Sequence, residues 1–230
     1  MRLRQSVVAH LRTGDSYALV LVLLLATVFC TIVAPDETWG RIFRDTVLAA
    51  TVLATYWTAT ARQSLFVPRV LIPGVVVAFV VVGAIEGSST DAVAAAFSAV
   101  FTVGAIVLVV HDLFERRRVD DQTVLGALSL YVLVGILFAS LYAFVAAAGE
   151  GAFYTRGDDG STGEHLYFSL AALTTTGFGD LAPASSLGRA IAGLELVLGQ
   201  LYLATIVTVI VVAAMGTQRG RRGERDIEGA

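Results

Sequence analysis

Long apolar runs separated by short polar breaks set the pattern of this chain. The runs cover 17–34, 46–61, 70–85, 92–110, 123–148 and 187–215. A helix needs roughly 20 apolar residues to cross a bilayer core of about 30 Å, so the pattern predicts six crossings, the second of them short and threonine-rich. The breaks carry the polarity: 1–16 with Arg2, Arg4 and Arg12, then 35–45, 62–69, 86–91 and 111–122. Trp39 in the first loop suits a membrane interface. Pro68 suits a helix start, and Pro73, just inside the third run, is placed to kink it. A basic start before an apolar run also resembles a secretory leader. Here the run is too long for one, and Val33-Ala34-Pro35 makes a poor cleavage site.

Between the fifth and sixth runs the pattern changes. Residues 149–163 are polar and glycine-rich and read as an exposed turret. Ser161, followed three places later by Glu164, is a capping box that starts a helix through Leu166, Leu170 and Leu173. That helix is too short to cross. It reads as re-entrant, which is tolerable at membrane depth only where other protein buries it, and its partly negative C-terminal end favours a cation beneath. The fold class expected is therefore an all-α membrane protein of six transmembrane helices, with a re-entrant helix and loop between the fifth and sixth.

The loop that follows is Thr174-Thr175-Thr176-Gly177-Phe178-Gly179-Asp180. A cation that sheds water inside a membrane needs a ring of oxygens, which backbone carbonyls from several identical loops supply. Carbonyls along one strand face one axis only if the backbone alternates between right- and left-handed conformations. Glycine enters the left-handed region without steric cost, and Gly177 and Gly179 fall at that two-residue spacing. The Thr175 hydroxyl adds a side-chain oxygen at the inner end. One loop cannot enclose an ion, so a single copy per chain implies a homotetramer with fourfold symmetry.

This stretch resembles the selectivity filter of potassium channels, usually Thr-Val-Gly-Tyr-Gly-Asp, and the resemblance extends over about 131–212. It is to the bacterial six-span type with a two-helix pore domain and no arginine-rich voltage sensor. The resemblance implies potassium as permeant ion, coordinated at Thr175, Thr176, Gly177, Phe178 and Gly179, with no other cofactor. It implies support from Thr174 and from Asp180, which braces the filter against an aromatic of the short helix, here Tyr167. It also implies a gating hinge at Gly199, against which stands simple close packing. Phe178 stands where tyrosine is usual and Thr176 where valine or isoleucine is. A weakly selective cation channel is the alternative, and a non-conducting membrane subunit comes next. The chain divides into a four-helix module, 1–118, a pore module, 119–216, and a tail, 217–230.

Composition agrees with the membrane reading: 56% of the 230 residues are hydrophobic and 15% charged, with a mean hydropathy of +0.76. A net charge of -3 points to no nucleic acid. Lipids, potassium ions and copies of the chain are the partners expected. All 16 basic residues are arginine. Six crossings put those of 1–16, 62–69, 116–118 and 219–225 on one side, leaving Arg41, Arg44, Arg156 and Arg189 on the other. The positive-inside rule then places both termini in the cytoplasm, and the resemblance implies the inner (plasma) membrane. The fourth run, 92–110, holds no arginine, which predicts weak voltage dependence. The run Arg116-Arg117-Arg118 reads as a topology signal before a lipid site. Cys30 is the lone cysteine, and no cluster with triad or metal-ligand spacing points to an enzyme. Glu195 lies about two turns inside the sixth run, open equally to a functional role and to hydrogen bonding behind the filter. Thr205 and Thr208 either face a cavity or bond to their own helix. His165 is expected to be passive at the interface.

Overall fold

A computed structural model describes residues 17–34, 40, 46, 47, 50, 51, 54, 88–116 and 121–228. Five helices are described in full: α1 Tyr17–Val33, α2 Ser88–Glu115, α3 Asp121–Ala148, α4 Thr162–Leu173 and α5 Ser186–Glu228. Four of them overlap the first, fourth, fifth and sixth expected spans. The third expected span, most of the second, Trp39, and the arginines of 1–16 and 62–69 lie outside the described residues. Among the described residues, three stretches, Asp91–Glu115, Asp121–Ala148 and Ser186–Ile206, are long and apolar enough to cross a membrane, and Tyr17–Val33 is shorter at 17 residues. α3 carries no charge after Asp121, and its 28 residues rise about 42 Å, enough to span with some tilt.

α3 is the central element. α2 packs along it antiparallel, with Ser98 Oγ 2.9 Å from Ser140 Oγ at one end and Leu113 against Gly126 at the other. α1 lies on the same side, running with α3. Its Tyr17 amide donates to Gln122 Oε1 at 2.9 Å, and Tyr17, Val20 and Leu24 join Leu133, Ile136 and Ala139 in one apolar core. Thr27 and Thr51, both buried, share a hydroxyl hydrogen bond of 2.7 Å, which ties α1 to the helical positions of the second expected span. Hydrophobic segregation does not hold helices together inside lipid. Close packing and interhelical hydrogen bonds do, each bond contributing about 0.6–2 kcal/mol.

The fourth span differs from expectation at both ends. α2 begins at Ser88, inside the expected loop, and continues through Glu115. Its last turn is not simply a charged surface. Asp112 is buried, accepts from Tyr17 Oη at 2.8 Å and pairs with Arg116 Nε at 2.9 Å, while the Arg116 guanidinium lies 5.2 Å from the Tyr17 ring centre. Thus the first arginine of the basic run is folded against α1.

α4 is wedged between α3, α1 and α5. Its first turn approaches the end of α1 so closely that a methyl on Gly163 would lie 2.8 Å from the Thr31 carbonyl oxygen. α5 starts on Ser185, whose hydroxyl accepts from the Gly188 amide at 3.0 Å. It then runs antiparallel to α3, with Tyr142 beside Glu195 and Tyr202 Oη donating to the Ala127 carbonyl. Helix continues without interruption through the 217–230 tail as far as Glu228. Gly163→Ala is expected to destabilise the protein by about 1–3 kcal/mol, because backbone atoms of α1 would have to retreat. A lowered thermal unfolding midpoint in detergent checks this.

Candidate functional site

The site is built on the C-terminal end of α4. A helix ends with four carbonyls that have no intrahelical donor, and here each finds one. Leu170 O accepts from the Thr174 amide at 3.0 Å and the Thr174 hydroxyl at 2.7 Å. Ala171 O accepts from the amides of Thr176 at 2.9 Å and Gly177 at 3.2 Å, and Ala172 O from the amide of Thr175 at 2.8 Å. Leu173 O accepts from Tyr131 Oη at 2.9 Å.

That pattern fixes which way the loop faces. In a trans peptide the N–H and C=O are antiparallel, and none of the described bonds is cis. The amides of Thr175, Thr176 and Gly177 point to α4, so the carbonyls of Thr174, Thr175 and Thr176 point away from it. The open side of the loop therefore carries a row of acceptors, and residues 174–180 are all exposed in the single chain.

The backbone alternates in hand, as the glycine spacing predicts. Positive φ occurs at Thr175 (55°), Gly177 (54°) and Gly179 (81°). Glycine explains two of the three. Thr175 is a β-branched residue in the left-handed region, a strain of about 1–3 kcal/mol that surrounding contacts must offset. Two contacts do so: its amide bond to Ala172, and its hydroxyl, which accepts from Gln200 Nε2 on α5 at 2.9 Å. Gln200 did not stand out in the sequence, since only folding brings it to a partner 25 residues earlier.

The other expected residues fall into three groups around this loop. Thr174 and Thr176 share a hydroxyl hydrogen bond of 2.8 Å. Phe178 stacks on Tyr167, ring centres 5.9 Å apart and 12° from parallel, and the Asp180 carboxylate acts electrostatically on Tyr167. Glu195 lies behind α4, buried, 2.5 Å from both Tyr142 Oη and Ser169 Oγ. Gly199 sits where α5 crosses the end of α4, and a methyl there would overlap the Leu173 carbonyl. Close approach is thus a sufficient reason for this glycine, and α5 stays helical through it. Thr205 and Thr208 bond back to the carbonyls of Leu201 and Ala204, both at 2.7 Å.

The turret is less exposed than its composition suggests. Phe153 and Tyr154 are buried, and the strand-like stretch they begin pairs with the segment after the loop. Thr155 donates its amide to Ala182 O at 2.9 Å, and Ala184 to Phe153 O at 2.8 Å. Arg156 reaches Asp158 and Glu164 at 2.6 Å each. The capping box is present as expected, with the Ser161 hydroxyl accepting from the Glu164 amide and the Ser161 amide donating back to the Glu164 carboxylate.

His165 does not lie on the surface of the chain. It is buried, stacked on Tyr154 at 5.5 Å, with Nδ1 3.0 Å from the Tyr154 hydroxyl.

Residues 130–215 match a family model described as an ion channel. Neither a curated protein nor a solved structure matches the chain. The family match indicates an ion channel, and together with the apolar helices a membrane protein.

Burial, only partly offset by Glu164, Asp159 and Asp158, pushes His165 from its ordinary 6.5 down to about 4. The unfolded chain then binds a proton that the folded one refuses between those two values. Stability is complete above about pH 6.5 and falls as pH drops towards 4, by up to about 3 kcal/mol. Unfolding midpoints measured from pH 7 to 4 check this, with His165→Gln expected to flatten the profile.

Proposed function

We propose that the chain is a potassium-selective channel, conducting passively through a pore formed where four copies meet. The observation that carries the reading is the alternation of hand at Thr175, Gly177 and Gly179, with the amides of Thr175, Thr176 and Gly177 spent on α4. Four such loops around an axis would aim their carbonyls inward and replace the hydration shell of the ion. Thr175, Thr176, Gly177, Phe178 and Gly179 supply the oxygens. Thr174, Asp180, Tyr167 and Glu195 hold the loop in place, and α4 is the re-entrant helix behind it. Gln200 joins this set, because it steadies the strained Thr175. At Gly199 the tight contact with Leu173 favours packing over hinging.

Exposed apolar side chains along α5, among them Leu194, Val197 and Leu201, support burial by lipid or by neighbouring copies. The full assembly in this reading has six crossings, with both termini cytoplasmic and the turret outside the inner (plasma) membrane. A second reading, a weakly selective cation channel, is favoured by one contact: the Thr176 hydroxyl bonds to Thr174, where a packed aliphatic side chain is usual in the family it resembles.

Purified protein in liposomes is expected to carry potassium flux, with reversal potentials in mixed potassium and sodium near the potassium limit. Gly177→Ala, which forces a side chain onto φ 54°, is expected to abolish the flux. Equal permeability to the two ions would establish the second reading, and no flux at all would overturn both.

Conductance is also expected to vary little with voltage, since α2 contains no arginine and each charge crossing the field contributes only about 2.3 kcal/mol per 100 mV. Steep activation in a bilayer recording would refute this.

A further inference from the structure

Hydrogen atoms can be counted around Glu195. Three oxygen pairs converge there: Tyr142 Oη to Glu195 Oε2 at 2.5 Å, Ser169 Oγ to Glu195 Oε1 at 2.5 Å, and Ser169 Oγ to the Gly135 carbonyl at 2.7 Å. Separations this short are those of O–H···O bonds, so each pair needs a hydrogen between its oxygens. Tyr142 and Ser169 each own one hydroxyl hydrogen, while a carbonyl and an ionised carboxylate own none. Three gaps and two hydrogens leave one to be found.

Among the described residues the surroundings offer no other source. Tyr142, Ser169 and Glu195 are each 0% exposed. From α3 the groups bearing on the carboxyl are Tyr142 and Tyr131, from α4 Ser169, and Tyr154 of the turret lies behind Tyr142. None of these is a cation. On α5 itself, Arg189 is spent on the Pro183 and Ala184 carbonyls. An ionised carboxylate in this position would be a buried charge with no counterion, a cost of several kcal/mol.

We infer that Glu195 stands as the neutral carboxylic acid, its own hydrogen donated to Ser169 Oγ, and that this proton ties α5 through α4 to α3. Ser169 is then free to donate to Gly135, and Tyr142 to the second carboxyl oxygen, so that every acceptor is met. Ser169 lies five residues before Thr174, where the conduction loop begins, and the functional half of the inference rests on that loop being the conduction path. Loss of the proton to solvent would turn the one Ser169 hydrogen towards the carboxylate. Ser169 Oγ and Gly135 O would then face each other as two acceptors, and α4 would part from α3. Glu195 is a positioning residue in this scheme, acting on the loop through Ser169.

The test combines infrared spectroscopy with flux. Wild type minus Glu195→Gln difference spectra of the full-length protein in lipid are expected to contain the carbonyl stretch of a protonated carboxyl at neutral pH. The glutamine amide can donate to Ser169 and accept from Tyr142, so this variant keeps the ties without a titratable proton. As pH is raised the band should disappear, and wild-type potassium flux should fall at least several-fold with it, whereas the flux of Glu195→Gln should not follow that titration. Carboxylate stretches alone, throughout the pH range, would overturn the inference. A protonated band that titrates while flux stays constant would overturn the positioning role. Absence of flux at every pH would refute the conduction reading instead, and the band would still decide where the proton sits.

Discussion

The structure around the site depends on one constraint: the last four carbonyls of α4 need donors that the helix itself does not supply. Three are met by the chain that follows, through the amides of Thr174, Thr175, Thr176 and Gly177, and the fourth by Tyr131. Those bonds do more than finish a helix. They turn successive peptide planes from Thr174 to Gly177 so that the amide edge is inward and the carbonyl edge outward, with left-handed backbone at Thr175 and Gly177. A loop that caps its own helix in this way presents acceptors on its free side as a geometric by-product.

Supports then arrive from separate parts of the chain. α5 brings Gln200 to Thr175 and Glu195 to the back of α4. The turret grips the segment beyond the loop through two backbone bonds, while Tyr167 meets Phe178 and Asp180. Residues 174–180 are therefore held at both ends and from behind, and the carbonyls of Thr174, Thr175 and Thr176 point to the open side. Rigid backing with one free face is what a site needs if it is to replace the hydration of an ion without collapsing.

Much of this was legible in the sequence, for identifiable reasons. Helices α1, α2, α3 and α5 follow from apolar length, and α4 from the Ser161 and Glu164 pair, because each signal is local. Gly177 and Gly179 announce left-handed backbone by residue type alone. Thr175 does not, since a β-branched residue enters that region only when distant groups compensate, and Gln200 is visible as its partner only after folding. The turret misled for a similar reason: its glycines and acids read as exposed, yet Phe153 and Tyr154 are buried by packing against α3 and α4. His165 and Arg116 are charged or titratable types that burial and local pairing have taken off the surface. The helical continuation through 217–228 carries no apolar signal that would announce it.

The length of α5 has a mechanical consequence. Its 43 residues extend about 65 Å, roughly twice the thickness of a bilayer core. Glu195, Gly199 and Gln200 all lie within the first third of that rod. A sideways load on its distal part, whether from a bound protein or from bending of the surrounding lipid, would reach Thr175 through the Gln200 amide with little in between, so the rod is a ready lever on the one strained residue of the loop.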